Sequence, residues 1–431
     1  MNSEKLNNIA FLALGSNLGD ARKNIISAIN KLQKYNIKIT SIAPFYKNIP
    51  IIPIDAKEDY QNIFYNTVIK IKIDLTPIEL LNLCKKIEEK MGRKSEHEKW
   101  TPRIIDIDIL LYNDLFLTTK ELKIPHPEAL NRSFVLDPLM QIDSDLEINK
   151  QKILNISRNH KSHIPTIMGI INITNDSFSG DGMLQTDIKK IEKKIKKWIK
   201  NAIPIIDIGA QSTRPNAKQI TPKEEIKRLT PIFKIIEKYK NNYTTKFSID
   251  TYNFETAKIA IDNGFKIIND VSGFHDERMW ELIQNNEIET VLMHNLTIPA
   301  DKNITMKANC NIINEIQNWA EKIIHKCEKH RIKLSKIILD PGIGFGKTAE
   351  QSITIMKNLK ELQNLPMRIL IGHSKKSFIN HLEKQKNPKK RLLNTILISL
   401  TLKENGVDII RTHDPIEHKN AFFFHTSLLK K

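Results

Sequence analysis

Residues 164–172 have the sequence Ile-Pro-Thr-Ile-Met-Gly-Ile-Ile-Asn, an apolar run that ends abruptly in a polar residue, and the repetition of this pattern decides the fold. Eight such runs follow one another before the C-terminus, and amphipathic helical patterns separate most of them. The runs end at Asn172, at Asp207 with Gly209, at Asp250, at Asn269 with Asp270, at His294, at Asp340, at Gly372 with Lys376, and at Arg411 with His413. Strands and helices that alternate eight times predict a parallel (βα)8 TIM barrel, whose active site is expected at these polar strand ends.

The N-terminal part of the chain does not follow this rhythm. Strand patterns alternate with two helical patterns in the order Ile9–Leu14, Asp20–Tyr35 (helix), Ile37–Phe45, Asn66–Ile73, Thr76–Met91 (helix) and Ile104–Tyr112. The order β-α-β-β-α-β predicts a ferredoxin-like α+β sandwich. The second helix is the better defined one, with Thr76 as N-cap, Glu79 completing a capping box and Gly92 as the stop. We therefore predict a first domain at residues 1–157, a polar linker at 158–163 and the barrel at 164–431.

Composition bounds the remaining function classes. The 431 residues carry a formal net charge of +18, but the lysines are spread along helix faces such as residues 187–201, with no basic run that contains interleaved aromatics. We therefore expect no nucleic-acid partner, and the lack of an apolar run of about 18 residues predicts no membrane span. Three widely spaced cysteines fit a reducing cytoplasm without disulfides or a zinc motif.

Two carboxylates lie on one face of a predicted strand in the first domain. The sequence Ile-Ile-Asp-Ile-Asp-Ile at residues 104–109 alternates strictly, so Asp106 and Asp108 share a face while the isoleucines take the other. Two like charges about 6–7 Å apart repel by roughly 2–3 kcal/mol at an effective dielectric constant of about 20. Magnesium brought in with a nucleotide would relieve this repulsion. A solvent-facing sheet edge with two idle acids is the alternative that spacing alone leaves open.

Further motifs surround the two acids. They are Gly15-Ser16-Asn17-Leu18, Phe64-Tyr65-Asn66, Trp100 to Asp108, Pro125-His126-Pro127 and Asn131-Arg132-Ser133-Phe134. With these motifs nearly the whole first domain resembles the 6-hydroxymethyl-7,8-dihydropterin pyrophosphokinase family. The resemblance implies an enzyme that transfers pyrophosphate from ATP to the pterin hydroxymethyl group, giving AMP.

Residue roles follow from the same resemblance. It implies that Asp106 and Asp108 bind two Mg²⁺ ions, with Asp108 also counted as catalytic beside Arg93 and Arg103. Arg93, Trp100, Arg103 and His126 would bind ATP, whereas Phe64, Asn66, Arg132 and Phe134 would bind the pterin. The chain departs from relatives at Ser95, Glu121 and Lys123, so the resemblance leaves ATP affinity and loop order open, while the metal and pterin sets are intact.

A glycine-rich segment in the barrel imitates a nucleotide-binding motif. Residues 342–348 have the sequence Gly-Ile-Gly-Phe-Gly-Lys-Thr, but the Walker pattern requires a glycine at the position of Pro341. The segment is better explained as a tight strand-to-helix turn after Asp340.

The polar ends of the barrel strands lie in a second set of motifs. They are Met168 to Thr174 with Asp176 to Ser179, Gln211 to Pro215, Ser248 to Thr251, Ile268 to Asp270, Asp340-Pro341-Gly342, Gly372 to Ser377 and Arg411 to Asp414. In this order the whole second domain resembles dihydropteroate synthase. That family condenses the pterin pyrophosphate with p-aminobenzoate, which gives dihydropteroate and pyrophosphate.

The resemblance assigns roles at the barrel mouth. Catalytic roles fall to Asp250, Lys376 and Arg411. Substrate would be bound by these residues together with Thr213, Arg214, Asn269, Asp340, Phe345, Ser374 and His413. Asn172 would bind one Mg²⁺ on the departing pyrophosphate. We expect Asp250 to stabilise the positive charge that develops on the pterin methylene.

The whole chain is therefore expected to be a bifunctional folate-pathway transferase in the cytoplasm. The rival hypotheses are a pterin-binding protein with one idle catalytic domain and a basic RNA-binding chain. The intact Asp106/Asp108 pair and Lys376 argue against an idle domain. Oligomeric state stays open, with a homodimer through the barrel domain as one option.

Overall fold

The structure, a computed structural model, describes residues 7–50, 62–93, 101–173, 185–211, 219–239, 245–298, 301, 303–382, 384, 387 and 391–429. Contacts between residues divide the chain into two compact units. The first contains residues 1–163 together with 423–431, and the second contains residues 164–422.

The first unit is an antiparallel sheet with helices. Its elements are β1 (Asn8–Ser16), α1 (Ala21–Leu32), β2 (Lys38–Ile42), β3 (Tyr46–Asn48), β4 (Phe64–Ile73), α2 (Pro77–Lys90), β5 (Asp106–Tyr112), β6 (Leu117–Thr118), β7 (Lys123–Ile124), α3 (Ser133–Ile142), β8 (Glu147–Ile148), β9 (Gln151–Lys152) and α4 (Ile153–Asn159). The main sheet has the order β2-β4-β1-β5, and β3 also pairs with β4. This order of the four predicted strands confirms the ferredoxin-like arrangement.

Local sequence signals explain the ends of these elements. The side chain of Thr76 accepts from the Glu79 backbone N–H and Glu79 returns a bond to Thr76, so the predicted capping box is present. Gly92 follows α2 with a φ of +97°, which fits the predicted glycine stop. The predicted strand Ile37–Phe45 is divided into β2 and β3, because Pro44 between them has no N–H to donate to the sheet.

The predicted linker is part of the first unit. Helix α4 extends through Asn159, and the side chains of Ser157 and His163 are buried. Both contact the buried carboxylate of Asp137, at 2.7 Å from Ser157 Oγ and 2.8 Å from His163 Nδ1. Residues 158 and 159 thus belong to a helix, and the polar side chains at both ends of the segment contact one buried carboxylate.

The second unit is a closed barrel of eight parallel strands. Its elements are β10 (Thr166–Asn172), α5 (Gln185–Lys200), β11 (Ile205–Gly209), α6 (Pro222–Glu237), β12 (Lys246–Asp250), α7 (Phe254–Asp262), β13 (Ile267–Asp270), α8 (Arg278–Gln284), β14 (Glu289–Met293), α9 (Ile312–Lys329), β15 (Ile337–Asp340), α10 (Ala349–Lys357), α11 (Leu359–Leu362), β16 (Arg368–Ile371), α12 (Ile379–Leu382), α13 (Leu392–Glu404), β17 (Ile409–Thr412) and α14 (Pro415–Leu428). Each strand pairs with its sequence neighbour, and β10 closes on β17. The predicted (βα)8 barrel is confirmed.

Apolar side chains from the strands fill the barrel interior. The buried cluster consists of Met168, Ile205, Ile267, Val291, Ile338, Leu370 and Ile409. Most of the predicted polar residues then lie at, or directly after, the carboxyl end of their strand, as at Asn172, Asp250 and Asp340, whereas Asp207 lies within β11 and Lys376 lies five residues after β16. The packed interior leaves the carboxyl end as the place where these polar groups meet.

Helix α13 differs from its sequence pattern. Leu393, Ile396, Leu397 and Leu400 predicted a stripe facing the core, but Leu393 and Leu397 are 66% and 54% exposed. The buried side is formed instead by Thr395 and Ser399, which contact the buried imidazole of His373. The core-packing interpretation is therefore wrong for Leu393 and Leu397, whereas Leu400 packs against the core. None of the helices in the described ranges has the length and apolarity needed to cross a membrane.

Candidate active sites

The first site is formed around β5. Its side chains alternate as predicted, with Ile107 and Ile109 buried and Asp106 and Asp108 on the accessible face. Asp106 accepts from two guanidinium groups, at 2.5 Å from Arg93 Nη1 and 2.6 Å from Arg103 Nη1. The structure thus brings together the predicted acids and both predicted arginines.

A carboxylate that the sequence analysis did not single out completes this cluster. Glu88 on α2 accepts at 2.6 Å from Arg93 Nη1 and at 2.6 Å from the backbone N–H of Ile107, the residue between the two acids. Burial raises the pKa of Glu88 to about 7. The available signal was its position in the apolar stripe of α2, after Leu80 and Cys84 at a spacing of four residues.

Asp108 is the second acid of β5. Burial, followed by repulsion from Asp106, raises the pKa of Asp108 to about 6, while Arg132, Arg93 and Arg103 oppose the shift. In the described part of the chain no three His, Cys, Asp or Glu side chains are grouped as a metal site. The pair nevertheless fits Mg²⁺, which is commonly bound by one or two carboxylates together with water and substrate phosphates.

The predicted pterin residues lie on neighbouring elements. Asn66 on β4 is buried, and its amide donates to the side chain of Asn48 on β3. A Cβ atom at Gly15, the β1 residue paired with Asn66, would lie 2.7 Å from Asn66 Oδ1. Phe64 and Phe134 are both partly exposed, as an aromatic pair that receives a planar ring must be. The guanidinium of Arg132 lies 5.9 Å from the ring centre of Phe134.

Asn17 connects the first motif to the strand of the two acids. Its side chain accepts from the Arg103 N–H at 2.8 Å, and its own N–H donates to the Arg103 carbonyl at 3.2 Å. Burial, and then the charge of Arg132, lower the pKa of His126, so the imidazole is neutral near pH 7. Trp100 lies outside the described residues.

The second site is the barrel mouth, and its centre is an arginine held by two carboxylates. Arg411 donates to Asp207 Oδ2 from Nε at 2.7 Å and to Asp250 Oδ2 from Nη2 at 2.5 Å. The same Asp207 oxygen accepts from the amide of Asn269 at 3.0 Å. Side chains from β11, β12, β13 and β17 therefore converge on one point.

Asp207 has a larger part in this cluster than its sequence indicated. It is fully buried and accepts from both Arg411 and Asn269, yet it was noted only as a strand end. Burial raises the pKa of Asp250, Arg411 opposes that shift, and the charge of Asp207 adds to it. Gly209 leaves room for this arrangement, because its Cβ would lie 3.0 Å from Asp250 Cβ.

Lys376 and Asp340 form the neighbouring part of the mouth. Burial lowers the pKa of Lys376 to about 8, while Asp340 opposes that shift. The ammonium group donates to the Ile343 carbonyl at 2.5 Å and lies 4.5 Å from the ring centre of Phe345. Gly372 separates Asp340 from Arg411, since its Cβ would lie 3.7 Å from Asp340 Oδ2 and 4.0 Å from Arg411 Cβ.

The last predicted residues lie at the ends of β10, β16 and β17. Ser374 Oγ is 3.1 Å from His413 Nδ1 and also accepts from the His413 N–H at 3.3 Å. Burial and the charge of Arg411 lower the pKa of His413 to about 3, so its imidazole is neutral. Asn172 is exposed at the end of β10. Thr213 and Arg214 lie outside the described residues.

Two family models match these two units. Residues 11–144 match the 7,8-dihydro-6-hydroxymethylpterin-pyrophosphokinase model, and residues 168–413 match the pterin binding enzyme model. The fold and the two clusters thus define an enzyme with two transferase domains that both belong to pterin chemistry.

Similar whole proteins combine the same two domains. The folate synthesis bifunctional protein of Arabidopsis thaliana is 30% identical over 95% of this chain and 94% of its own length. A folic acid synthesis protein of Schizosaccharomyces pombe is 34% identical over 95% of this chain, which spans 58% of that protein's length. The crystal structure of dihydropteroate synthase from Clostridium difficile with pteroic acid is 34% identical, with a TM-score of 0.55 over 62% of this chain and 96% of its own. The chain belongs to the family of bifunctional folate synthesis proteins.

Proposed function

We propose that the chain catalyses two consecutive transfers. In the first, pyrophosphate passes from ATP to 6-hydroxymethyl-7,8-dihydropterin, which gives AMP. In the second, the pterin pyrophosphate condenses with p-aminobenzoate to give dihydropteroate and pyrophosphate. The observation that supports the second step best is the buried group of Asp207, Asp250, Asn269 and Arg411 at the barrel mouth.

In the first transfer the chain's own residues supply position and charge. Arg93 and Arg103 are already fixed by Asp106, and Glu88 holds Arg93 from its other side, so both cations are aligned before a triphosphate arrives. Asp106 and Asp108 would bind two Mg²⁺ ions, which neutralise the phosphates and orient them for in-line attack. Asn66 and the rings of Phe64 and Phe134 would hold the pterin.

In the second transfer the leaving pyrophosphate takes the bonding electrons, and positive charge develops on the pterin methylene. Asp250 would stabilise that charge, because a fixed carboxylate in a buried site acts strongly on it. Asn269, Asp340 and Lys376 would bind the pterin, with Phe345 beside Lys376. Ser374, Arg411 and His413, together with Thr213 and Arg214, would receive the anionic groups, and Asn172 one Mg²⁺.

The decisive experiment is a coupled assay that starts from ATP, 6-hydroxymethyl-7,8-dihydropterin, Mg²⁺ and labelled p-aminobenzoate. We expect label in dihydropteroate, with one AMP formed for each product molecule. Label incorporated only when pterin pyrophosphate is supplied would mean an idle first domain. Formation of AMP without dihydropteroate would mean an idle barrel. If neither product formed, the chain would be a pterin-binding protein.

We also propose self-association through the barrel and a location in the cytosol. The exposed Leu393 and Leu397 on α13 support a homodimer, because that helix turns its polar side chains inward. The free thiols of Cys84 and Cys327 are buried without disulfides, which suits a reducing compartment. Replacing both leucines by glutamate should convert a dimer to a monomer in analytical ultracentrifugation.

A further inference from the structure

The glycine turn of residues 342–347, which does not match a nucleotide-binding motif, has a backbone conformation that requires glycine. Gly342, Gly344 and Gly346 have φ values of +72°, +74° and +60°. A Cβ at Gly342 would lie 2.1 Å from the His294 carbonyl oxygen, so the turn is pressed against the end of β14. Glycine tolerates such conformations but also has the most freedom to leave them. Hydrogen bonds from the Phe345 N–H to the Gly342 carbonyl at 3.0 Å and from the Gly344 N–H to Ser352 Oγ at 3.1 Å restrain part of the turn, and two lysines bind further carbonyls.

Lys347 is a buried lysine at the end of the turn, where burial lowers its pKa to about 7 while the charge of Asp340 opposes that shift. Only 6% of this residue is exposed, and its ammonium group meets the Phe345 carbonyl at 2.9 Å, the His294 carbonyl at 3.1 Å and His294 Nδ1 at 2.9 Å. These three acceptors equal the three donors of an ammonium group. Burial and the charge of Lys347 lower the pKa of His294 to about 3, so the imidazole is a neutral acceptor. The lysine thus joins the turn to the end of β14.

Lys376 holds the same turn from the active-site side. Its ammonium group donates to the Ile343 carbonyl at 2.5 Å and lies 4.5 Å from the ring centre of Phe345. The carbonyls of residues 343 and 345 are therefore bound by two different lysines. Phe345 is the side chain between these two attachments, and its ring forms one wall beside Lys376.

We propose that Lys347 is a positioning residue for the pterin site, which it serves by fixing the Phe345 ring against Lys376. The proposal rests on the proposed function of the barrel. Without the bond to the Phe345 carbonyl, the glycine turn gains conformations in which the ring leaves the Lys376 ammonium group. A misplacement of about 1 Å in a binding wall can lower turnover by about 100-fold.

A double-mutant cycle tests this route. Lys347→Met and Phe345→Leu are made singly and together, and kcat/KM for the pterin pyrophosphate is measured at saturating p-aminobenzoate. We expect each single variant to lose about 10- to 100-fold. If Lys347 acts through the Phe345 ring, kcat/KM of the double variant should be no more than about threefold below that of the less active single variant. Losses that multiply would overturn the proposal, as would an unchanged kcat/KM in Lys347→Met.

A control and a second readout separate this inference from the function itself. Lys246 pairs with Glu289 at 2.7 Å at the amino-terminal end of the barrel strands. When Lys246→Met is combined with Phe345→Leu, the losses in kcat/KM of the two single variants should multiply. The Kd of 6-hydroxymethylpterin, read by its fluorescence, is measured for the same variants. Coupling in Kd then supports the positioning role even if wild-type chain forms no dihydropteroate, a result that would refute only the function. If Lys347→Met does not fold, Lys347→Gln takes its place in the cycle.

Discussion

Asp207 is the residue around which the barrel site is arranged. One oxygen of its fully buried carboxylate accepts from Arg411 and from Asn269. Two proposed substrate-binding groups therefore share one fixed acceptor, although neither is near Asp207 in sequence. Removing its charge should displace both groups at once.

We predict that Asp207→Asn lowers kcat/KM for dihydropteroate formation by about 100-fold, since the uncharged amide no longer fixes Arg411 and Asn269 and a misplacement of about 1 Å is enough for such a loss. AMP formation in the first domain should not change. Asp262→Asn, at an exposed position at the end of α7, is the matched control and should leave both rates as they were. Equal losses of AMP formation and of dihydropteroate formation would indicate unfolding rather than a local effect.

Ionisation at the barrel mouth should shape the pH dependence of the second reaction. Burial raises the pKa of Asp250, and the charged form is the one required, so activity should rise as pH increases through a value above the usual aspartate range. Lys376 must be protonated, and its pKa of about 8 should bring activity down at higher pH. A plot of the initial rate against pH from 4 to 10 should be bell-shaped. Lys376→Met should abolish the alkaline fall along with most activity, and a fall that persists in this variant would contradict the assignment.

The burial of particular polar residues is the feature of the structure that the sequence indicated least. Asp250, Asn269 and Asp340 could be identified because each ends an apolar run, and the structure places them together. Glu88 was indicated only by its place in the apolar stripe of α2, and Lys347 could not be identified, because only tertiary structure brings its imidazole and carbonyl partners near. Sequence motifs identify side chains that face ligands better than those that hold backbone.

Pairing of β1 with β4 sets the position of Asn66, one of the residues proposed to bind the pterin. Gly15 and Asn66 are register partners, and the glycine leaves the space that the Asn66 side chain occupies. A methyl group added at Gly15 on β1 would therefore collide with the side chain of Asn66 on β4.

Gly15→Ala should raise KM for 6-hydroxymethyl-7,8-dihydropterin by about tenfold, because the added Cβ would lie 2.7 Å from Asn66 Oδ1 and must displace it. Steady-state kinetics at saturating ATP measure the effect. Thr76→Ala is the comparison variant, because loss of the α2 cap costs about 1 kcal/mol of stability without touching the pterin residues. A similar KM change in both variants would show that general loosening, not Asn66, is responsible.

Across the whole molecule, repetition made the fold predictable. Eight apolar runs with polar ends specified the barrel, its strand order and the face that carries the site. The inverted face of α13 could not be foreseen, because the apolar stripe was assumed to face the core. Burial of the polar residues at 157 and 163 could not be foreseen either, because only tertiary structure brings Asp137 near them.

The two reactions should be separable by substitution. Asp106→Asn removes the acceptor that fixes Arg93 and Arg103, so AMP formation should fall by about 100-fold or more. Condensation of supplied pterin pyrophosphate with p-aminobenzoate should proceed at the wild-type rate. Lys376→Met should give the reverse result. A loss of both reactions in either variant would contradict two independent sites.

The double pairing of Arg411 has a consequence for inhibitor design. Two carboxylates, Asp207 and Asp250, already share this one guanidinium. A compound that imitates the leaving pyrophosphate must therefore compete with Asp207 and Asp250 for Arg411, unless a divalent ion accompanies the compound. Uncharged heterocycles with donor groups suited to Asp207 and Asp250 avoid that competition, so medicinal chemistry against this barrel should begin with them.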